Sequence, residues 1–375
     1  MNTPFDTIVV GLGAVGSAAA YHLARRGQRV LGLDRFAPPH TLGSTHGGSR
    51  IIRKAYFEGQ QYLSLLERAY PLWRDLEAVS GQSLLNLCGC LNIGLPESQI
   101  VAASRRSAQA LGLSYEMLSQ EEVRRRFPAF HLPEGHGAVW DPEAGLILPE
   151  RCVEVHLEHA RRHDAALRFD EPALRWQADG DGVAVTTAQA TYRAGRLILS
   201  AGGWIVDLLA DLRQPFRIER VTNAWFRPKA NAAHFHPSRC PVYIWEYDAD
   251  LFFYGFPDLG RGVKAGIHYE GAVVDHPDDV ERTVSEADKQ AVRACLRRLL
   301  PDADGPLADT TVCFYTNTPD KHYLIDRHPE HPQVVFASAC SGHGFKASNA
   351  IGEALADFVM ERDLQVDIEA FRWRW

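Results

Sequence analysis

The segment DTIVVGLGAVGSAAAYHLARRGQRVLGLD, residues 6–34, decides the fold of this 375-residue chain. DTIVVG predicts a short buried strand, SAAAYHLARRG a helix, and QRVLGLD a second strand that ends in an acid. The turn between the first strand and the helix carries Gly11, Gly13 and Gly16 in the spacing G-x-G-x-x-G, and Asp34 follows roughly 20 residues later. Together these parts form the fingerprint of a dinucleotide-binding unit.

Each part of the fingerprint has a physical reason. Gly11 allows the tight turn, Gly13 lets the backbone approach the pyrophosphate, and Gly16 lets the helix pack closely on the strand. The helix N-terminus offers free N–H groups and a positive dipole end to the phosphates, and Asp34 would accept hydrogen bonds from the adenosine ribose. The fingerprint fits NAD and FAD alike. The residues predicted to contact the cofactor here are Gly11, Gly13, Ala14, Val15, Gly16, Asp34 and Arg35.

A second strand–helix unit lies in QVVFASACSGHGFKASNAIGEALAD, residues 333–357. VVFASA predicts a strand, SGHGFK a glycine-rich turn, and the following residues an amphipathic helix. A flavin is the economical reason for a second helix N-terminus, because its pyrimidine ring gains negative charge on reduction. RLILSAGGW, residues 196–204, predicts a third strand that passes close to the dinucleotide. These features favour FAD.

Composition limits the function classes. The length is about right for two domains. The net charge of −7 and dispersed basic residues, such as RRRF at 124–127 on a solvated helix face, argue against a nucleic-acid partner. Seven irregularly spaced cysteines favour a reducing, cytoplasmic setting, and the Cys88–Cys90 spacing is poor geometry for zinc. The N-terminal segment lacks the basic start of a signal peptide, and no apolar run is long enough to span a bilayer, so we expect no membrane partner.

Other segments carry a family resemblance. They are GSTHGGSRIIRKAY at 43–56, YGFPDLGRGVKAGIH at 254–268, CFYTNTPDKHYLID at 313–326 and SGHGFK at 341–346. Jointly and in this order they resemble the monomeric sarcosine oxidase family, which belongs to the D-amino-acid-oxidase-like FAD enzymes and includes N-methyltryptophan oxidase. The resemblance covers essentially the whole chain.

The resemblance implies an α/β architecture with an α+β substrate part. We expect a Rossmann-type FAD-binding domain at 1–83, 149–214 and 309–375, with an inserted antiparallel-sheet substrate domain at 84–148 and 215–308. The residues agree, because 84–148 and 217–268 have the alternation and turns of antiparallel strands, such as PDLGRG and EYDAD. DGDG at 179–182 predicts a hairpin turn, and 277–300 predicts a surface helix over the substrate sheet.

The resemblance gives Cys313 a specific role. In that family the matching cysteine carries FAD through a thioether to the flavin 8α-methyl group, which implies covalent 8α-S-cysteinyl FAD at Cys313. The alternative is a small buried apolar residue, which is the common fate of a free cysteine. Cys340 lies beside the SGHGFK turn in a strand-like run and is predicted to be part of the core.

Three cations match functional positions of the family. Lys264 matches the lysine that activates oxygen, and the alternative is a lysine on the solvent face of a hairpin. Arg53 and Lys346 match the pair that grips the substrate carboxylate, which a guanidinium neutralises well in an apolar pocket. The alternative for Arg53 is a surface ion pair with Glu58 or Glu67.

The resemblance also places side chains around the flavin and the substrate. His46 and Arg50 match residues that lie against the flavin ring. His268 and Tyr254 match groups near the substrate amine. Tyr315 follows the tether, and we expect Tyr315 and Trp245 to contact the substrate. The remaining predicted flavin contacts are Ser44, Gly202, Trp204, Gly342, His343, Gly344 and Phe345.

The implied activity is that of an FAD-dependent oxidase. A small secondary amino acid, either a sarcosine-like N-methyl amino acid or a cyclic one such as proline or pipecolate, becomes an imine while O2 becomes H2O2, and we expect a monomer. Trp225 and Trp245 fall on strands expected to line the substrate side, where they either set the pocket size or pack in the sheet. The alternatives are a flavin dehydrogenase, a primary-amine oxidase, an NAD-dependent dehydrogenase, and a flavin-binding structural or sensor module.

Overall fold

The computed structural model describes residues 5–212, 216–338 and 341–374, so Cys340 lies outside the described residues. The helices within them are α1 (Ala14–Arg25), α2 (Leu63–Ser80), α3 (Gln99–Ala110), α4 (Gln120–Arg126), α5 (Pro149–Arg162), α6 (Ile205–Leu208), α7 (Glu286–Leu299) and α8 (Ser348–Val359). The strands are β1 (Phe5–Val10), β2 (Val30–Leu33), β3 (Arg50–Ile52), β4 (Leu85–Asn86), β5 (Cys90–Gly94), β6 (Glu116–Leu118), β7 (Gly137–Asp141), β8 (Gly145–Ile147), β9 (Ala166–Arg168), β10 (Arg175–Asp179), β11 (Gly182–Thr186), β12 (Thr191–Leu199), β13 (Arg217–Phe226), β14 (Val242–Asp248), β15 (Leu251–Phe256), β16 (Val263–His268), β17 (Val273–Val274), β18 (Leu307–Asn317), β19 (Leu324–Arg327) and β20 (Val334–Ser338).

An eight-stranded sheet contains both predicted strand–helix units. β1 pairs in parallel with β2 and with β12, and β20 pairs in parallel with β12. The predicted strands are thus confirmed, as is the hairpin turn at Gly180, which joins β10 to β11. The carboxyl ends of these parallel strands carry Gly11, Asp34, Ser200 and Ser338 to one edge of the sheet, where α/β folds bind their ligands.

Helix α8 differs from the amphipathic helix that the sequence predicts, because all twelve of its residues are buried. Its acids Glu353 and Asp357 pair with Arg26 at 3.5 and 2.9 Å, so polar residues lie inside rather than on a solvent face. Gly352 explains the close packing of α8 on α1, since a Cβ atom there would lie 2.6 Å from the Cβ atom of Ala18.

A nine-stranded sheet forms the second layer, in the order β17-β13-β16-β15-β14-β5-β7-β6 with β18 beside β13. Its pairs are antiparallel as predicted, except that β5 runs parallel to β14. The segment 84–148 is more than strands, because it also contributes α3 and α4. It further supplies β4 and β8 to a three-stranded sheet with β3.

The two faces of the nine-stranded sheet have different surroundings. Trp245 and Phe253 point to a core that α7 covers, whereas their neighbours Ile244 and Phe252 point into a cavity. This follows from the period of two along a strand. Once one residue of β14 or β15 is placed, the alternation assigns the other residues of that strand to the core face or to the cavity face.

Helix α7 is shorter than the helix predicted over 277–300. It begins at Glu286, where Ser285 and Asp288 form a reciprocal capping box, and only a single 3-10 turn precedes it at Pro277–Asp279. Val292 and Leu296 pack on the sheet, so the predicted covering role is confirmed.

Strand β18 belongs to the nine-stranded sheet, because it pairs with β13 along its length. The sequence prediction assigned 309–375 to the FAD-binding part, whereas this pairing places Cys313, opposite Val221, on the nine-stranded sheet. The other domain boundaries stay a prediction. The site at Cys313 thus lies where both sheets meet.

The surface agrees with the composition. Arg124, Arg125 and Arg126 are exposed on α4 as predicted. Across the described residues, no group of three or more His, Cys, Asp or Glu side chains is placed to hold a metal ion, which includes the surroundings of Cys88 and Cys90. None of the helices in these ranges combines the length and apolarity needed to cross a membrane.

Candidate active site

A cavity of about 550 Å³ lies where the carboxyl ends of β1, β2, β12 and β20 approach the nine-stranded sheet. Its volume is in the usual range for ligand sites. Gly16, His46, Trp225 and Trp245 are not among the described residues that line it. The predicted residues that line it are Gly11, Gly13, Ala14, Val15, Asp34, Arg35, Ser44, Arg50, Arg53, Gly202, Trp204, Tyr254, Lys264, His268, Cys313, Tyr315, Gly342, His343, Gly344, Phe345 and Lys346.

The three fingerprint glycines have different neighbours. Gly11 has a φ of +86°, and a Cβ atom there would lie 2.5 Å from the carbonyl oxygen of Ser200. A Cβ atom on Gly16 would overlap the carbonyl oxygen of Gly11, so Gly16 serves packing rather than cavity lining. A Cβ atom on Gly13 would meet only Thr45 Oγ1, at 3.6 Å. No atom of the described residues therefore requires a glycine at 13, which leaves a cradle that fits a pyrophosphate at the α1 N-terminus.

Asp34 lies at one end of this cradle. Its Oδ2 accepts from the Leu12 N–H at 2.6 Å, and its Oδ1 accepts from the Phe36 N–H at 2.9 Å. Burial raises its pKa to about 6, against the effect of these two backbone hydrogen bonds. Each carboxylate oxygen keeps a further lone pair for a ribose hydroxyl, so the arrangement fits a dinucleotide.

A polar clasp borders the cavity beside Asp34. Arg35 pairs with Asp278 at 3.0 Å, and the indole N–H of Trp204 donates to the same carboxylate at 2.8 Å. The Arg35 guanidinium lies 5.4 Å from the Trp204 ring centroid. Asp278 follows β17 in the substrate part, so the clasp joins this part to the dinucleotide unit.

Lys264 points into the cavity and is only 2% exposed, which excludes the solvent-face alternative. Its Nζ donates to the carbonyl oxygens of Gly47 and Ser49 at 2.8 and 2.9 Å, and to Ser49 Oγ at 3.4 Å. Burial first, and then the charge of Arg50, holds its pKa well below the usual range. The glycines of THGGS are needed here, because Gly47 has a φ of +96° and lies against Nζ.

Arg50 and His46 separate in the structure. Arg50 lines the cavity and donates to the carbonyl oxygens of Ser49 and Ser44 at 2.8 and 2.7 Å. His46 does not reach the cavity, and it lies behind the lining with Nδ1 3.4 Å from Thr311 Oγ1. The structure therefore places His46 behind the cavity lining, and its contact with the flavin ring stays a prediction. Burial, followed by the charges of Arg50 and Lys264, lowers the pKa of His46 to about 3.

Arg53 is buried and pairs with Glu58, so the ion pair proposed as an alternative exists inside the cavity rather than on the surface. Its Nη2 lies 2.7 and 2.8 Å from the two oxygens of Glu58, and its Nη1 donates to the Ala55 carbonyl oxygen. Burial alone would raise the pKa of Glu58, but the charges of Arg53, His343 and Lys346 outweigh it and hold that pKa at about 2. The Nε of Arg53 is buried and has no hydrogen-bond partner among the described residues.

Lys346 lies in the same buried group. Its Nζ donates to the His343 carbonyl oxygen at 2.7 Å and to Tyr56 Oη at 3.4 Å. Burial lowers the pKa of Lys346 to about 7, although the charge of Glu58 opposes this effect. This wall of the cavity thus has two cationic side chains for one carboxylate and retains a demand for a further anion.

The nine-stranded sheet contributes two linked polar pairs. His268 Nδ1 lies 2.8 Å from Tyr315 Oη, and burial holds the pKa of His268 well below its usual value. Tyr254 Oη donates to Asn223 Oδ1 at 3.0 Å, and Asn223 Nδ2 donates to Cys313 Sγ at 3.7 Å. Tyr254, His268 and Tyr315 therefore line the cavity where the sequence resemblance predicts them.

The two tryptophans do not reach the cavity. Trp245 is fully buried under Arg298, whose guanidinium lies 4.8 Å from a Trp245 ring centroid, because it shares the core face of β14. The structure therefore places Trp245 in the core and not on the cavity that its predicted contact with substrate would require. Trp225 packs against Arg261, beside Lys264, at 4.4 Å from a ring centroid. Neither indole sets the pocket size.

Sequence reasoning missed part of the lining. Phe57, Ile244 and Phe252 form an apolar wall, and Phe57 and Phe252 stack at 5.0 Å. Asn223 was also missed, and a buried asparagine in the otherwise apolar end of β13 is the signal that could have found it. Glu58 was considered only as a surface partner of Arg53.

Comparisons with known proteins agree with this geometry. Residues 6–358 match the family described as FAD dependent oxidoreductase. The chain is 44% identical to monomeric sarcosine oxidase of Streptomyces avermitilis over 96% of this chain and 94% of the relative. It is 33% identical to N-methyl-L-tryptophan oxidase of Yersinia pestis over 98% of each chain. The solved structure of NikD, an unusual amino acid oxidase essential for nikkomycin biosynthesis, superimposes with a TM-score of 0.85 at 26% identity and covers 99% of this chain and 98% of that chain.

The dinucleotide cradle and the family match define one class of protein. The chain belongs to the FAD dependent oxidoreductase family. Within this family, the resemblance to monomeric sarcosine oxidases and N-methyltryptophan oxidases that the sequence predicts is confirmed. It is a flavoprotein oxidoreductase, and the nicotinamide alternative is wrong.

Proposed function

We propose that the protein is an oxidase of small secondary amino acids, which converts an N-methyl or cyclic amino acid to an imine with O2 as the electron acceptor. The observation that carries this proposal is the buried pair Arg53 and Lys346, which lies on the same cavity as Lys264 and Cys313. A carboxylate in such a place must be neutralised, and two cations supply that neutralisation. The relatives named sarcosine oxidase and N-methyltryptophan oxidase support the secondary amine.

The dinucleotide end of the cavity would hold FAD. Gly11, Gly13 and the α1 N-terminus would bind the pyrophosphate, Asp34 the ribose, and the turn around Gly342 the flavin. Bound FAD would supply the redox chemistry, which is acceptance of a hydride equivalent from the carbon beside the amine nitrogen and transfer of electrons to O2. We further propose that Cys313 carries FAD through a thioether, because its sulfur lies on the cavity wall close to Lys264.

The substrate carboxylate would bind between Arg53 and Lys346. The Nε of Arg53, which has no hydrogen-bond partner among the described residues, would be one donor to it, while Nη2 donates to Glu58. Glu58 also keeps Arg53 neutralised before substrate arrives, which lowers the cost of holding a buried cation. The substrate carboxylate would therefore add a second negative charge beside Glu58, opposite the two cations Arg53 and Lys346, and little net charge would be buried.

The remaining groups orient the amine and the oxygen. The pair His268 and Tyr315 presents neutral polar groups to the amine, since burial keeps the pKa of His268 well below neutrality. Such a site favours a deprotonated amine, whose nitrogen lone pair assists loss of hydride from the neighbouring carbon. Lys264, whose Nζ is held in place by oxygens of Gly47 and Ser49, would stabilise the negative charge that O2 gains.

The apolar wall of Phe57, Ile244 and Phe252 would contact the substituents of the substrate. Contact with an apolar surface favours binding of an N-methyl group or a saturated ring, and it disfavours binding of a charged side chain. This supports the small N-methyl and cyclic substrates. We also propose a monomer in a reducing, cytoplasmic setting, in line with the name of the sarcosine oxidase relatives and with cysteine usage.

The first test measures H2O2 and O2 consumption with sarcosine, L-proline, pipecolate and primary amino acids. We expect one H2O2 per substrate oxidised for a secondary amine, and a greatly raised KM in Arg53→Met and in Lys346→Met. Substrate that bleaches the flavin without forming H2O2 would instead indicate the dehydrogenase. Turnover restricted to primary amino acids would indicate the primary-amine oxidase.

A further inference from the structure

Asn223 is a buried polar residue that lines the cavity beside Cys313. It lies on β13, next to the β18 strand that carries Cys313, and both side chains point to the cavity. Asn223 is 2% exposed, and its Nδ2 donates to Cys313 Sγ at 3.7 Å. A hydrogen bond from a buried amide to a sulfur atom therefore connects the two strands.

The direction of this hydrogen bond is fixed by a third residue. Tyr254 Oη donates to Asn223 Oδ1 at 3.0 Å, and burial keeps the pKa of Tyr254 above its usual value, so the phenol retains its proton. A carbonyl oxygen that accepts from Tyr254 forces the amide N–H groups toward Cys313. The sulfur is thereby presented with a donor, which favours the thiolate over the thiol.

Other charged and titratable groups also face the sulfur. Lys264 on β16 and Arg282, which follows β17, both interact electrostatically with Cys313 as cations. Tyr254 on β15 and Tyr315 on β18 face it as phenols. The cations favour a thiolate from any direction, whereas the Asn223 amide acts along one line and so determines where the sulfur lone pairs point.

We propose that Asn223 is a positioning residue for covalent attachment of FAD, which holds the Cys313 sulfur as a directed nucleophile. The inference rests on the proposed thioether at Cys313. In this attachment the S–H bond and one C–H bond of the flavin 8α-methyl group are lost, and a C–S bond forms. The two electrons and two protons released pass to O2, which becomes H2O2, so FAD ends oxidised and bound.

The test follows attachment directly and needs no turnover. Full-length protein produced under riboflavin limitation is mixed with FAD in air, and samples are precipitated with acid over time. Flavin absorbance in the washed pellet gives the rate of attachment, and flavin in the supernatant gives non-covalent binding. The variants are Asn223→Ala, Asn223→Asp and Tyr254→Phe. Asn92→Ala is the control, because Asn92 is a buried asparagine of the same sheet beside another cysteine, Cys90.

We expect Asn223→Ala to slow attachment by about tenfold or more while FAD still binds, because a hydrogen bond to a charged group is lost. Asn223→Asp should be slower still, since a carboxylate then faces the thiolate. Tyr254→Phe should be intermediate, because the amide is kept but its orientation is released. The rate in Asn223→Ala should recover at higher pH, where the thiolate forms without the donor, and a purely structural role would not produce this recovery.

The outcomes separate the two proposals. Wild-type protein that gains acid-stable flavin, with unchanged attachment rates in both Asn223 variants, overturns the role of Asn223 and leaves the tether intact. If Asn223→Ala does not fold, Asn223→Asp and Tyr254→Phe decide in the same way. Equal slowing in Asn92→Ala would reduce the effect to sheet stability and overturn the proposal. Wild-type protein with no acid-stable flavin overturns the thioether itself, and Cys313→Ala gives the reference for that result.

Discussion

Lys264 and Lys346 are the same residue type on one cavity, yet their surroundings give them different chemistry. Lys264 donates to backbone and hydroxyl oxygens of the turn at Gly47 and Ser49, and none of these partners is a carboxylate. Lys346 lies beside the Arg53–Glu58 pair, and the charges of both partners act on its pKa. A lysine held in place by neutral oxygens suits stabilisation of a small electron acceptor such as O2. A lysine beside an Arg–Glu pair suits binding of the substrate carboxylate.

The first prediction concerns Lys264→Met, which keeps the length of the side chain and removes its charge. Reduction of the flavin by substrate should stay within a few-fold of wild type, because Lys264 is hydrogen-bonded to Gly47 and Ser49 and not to Arg53 or Lys346. Reoxidation by O2 should slow by roughly 10²–10³-fold, which is typical for loss of a preorganised charge. Anaerobic and aerobic stopped-flow measurements separate the two half-reactions. Normal rates in both would contradict the oxygen role.

The second prediction is a pH dependence at Lys346. Its pKa of about 7 means that it is protonated below this pH and neutral above it, so the affinity for a carboxylate should fall as pH rises through about 7. The pKa values of Glu58 and His343, at about 2 and 4, lie too low to produce this change. Titration with propionate, which has no amine, between about pH 6 and pH 8.5 reports the affinity through the flavin spectrum.

The control for this titration is Lys346→Gln, which should bind propionate more weakly and show no break near pH 7. An unchanged break in Lys346→Gln would assign the titration to another group.

For individual residues, the sequence predicted which residue types the site needs but not always where their side chains lie. Arg53, Lys264 and Lys346 line the cavity as expected, because their motifs fix the backbone around them. His46 lies only four residues before Arg50, and yet it faces Thr311 behind the wall. The glycines at 47 and 48 have positive φ, and such a turn redirects side chains in ways that spacing does not reveal.

Among the elements, strand β15 lines the cavity with one face and packs in the core with the other. Phe252 lies on the cavity and Phe253 in the core under α7. The same alternation placed Trp245 in the core, which the sequence could not decide, since β14 is buried on both faces. Helix α8 was misjudged for the same reason, because its polar residues are satisfied by ion pairs inside the protein.

The third prediction uses these adjacent phenylalanines as a matched pair. Phe252→Ala should remove part of the apolar wall and so enlarge the cavity, which should raise kcat/KM for larger N-methyl amino acids relative to sarcosine. Phe253→Ala should leave that ratio unchanged and lower the free energy of unfolding by about 3–5 kcal/mol, because it creates a core cavity. Substrate ratios and denaturant unfolding test both variants. A changed ratio in Phe253→Ala, with none in Phe252→Ala, would contradict the assignment of faces.

For the molecule as a whole, the cavity is built from two sheets that the sequence describes unequally. The dinucleotide unit was predictable because its strand, turn and helix are local and continuous. The substrate side draws on β13, β15, β16 and β18, which are distant in sequence and meet only through sheet pairing. Cys313 belongs to this second set, although its motif alone placed it with the C-terminal segment. A bound cofactor that reaches both sheets therefore joins parts that fold from separate stretches of chain.

The last prediction follows from that arrangement. A ligand that binds only the native state stabilises it by an amount that grows with the logarithm of its free concentration, about 1.4 kcal/mol for each tenfold increase above Kd. The proposed thioether at Cys313 would make the flavin part of the wild-type chain, so Tm should not depend on added FAD. In Cys313→Ala the flavin can leave on unfolding, so Tm should be lower and should rise steadily with added FAD. Differential scanning calorimetry over a range of FAD concentrations measures both. If wild-type Tm also rises with FAD, the cofactor is exchangeable and Cys313 only packs against it.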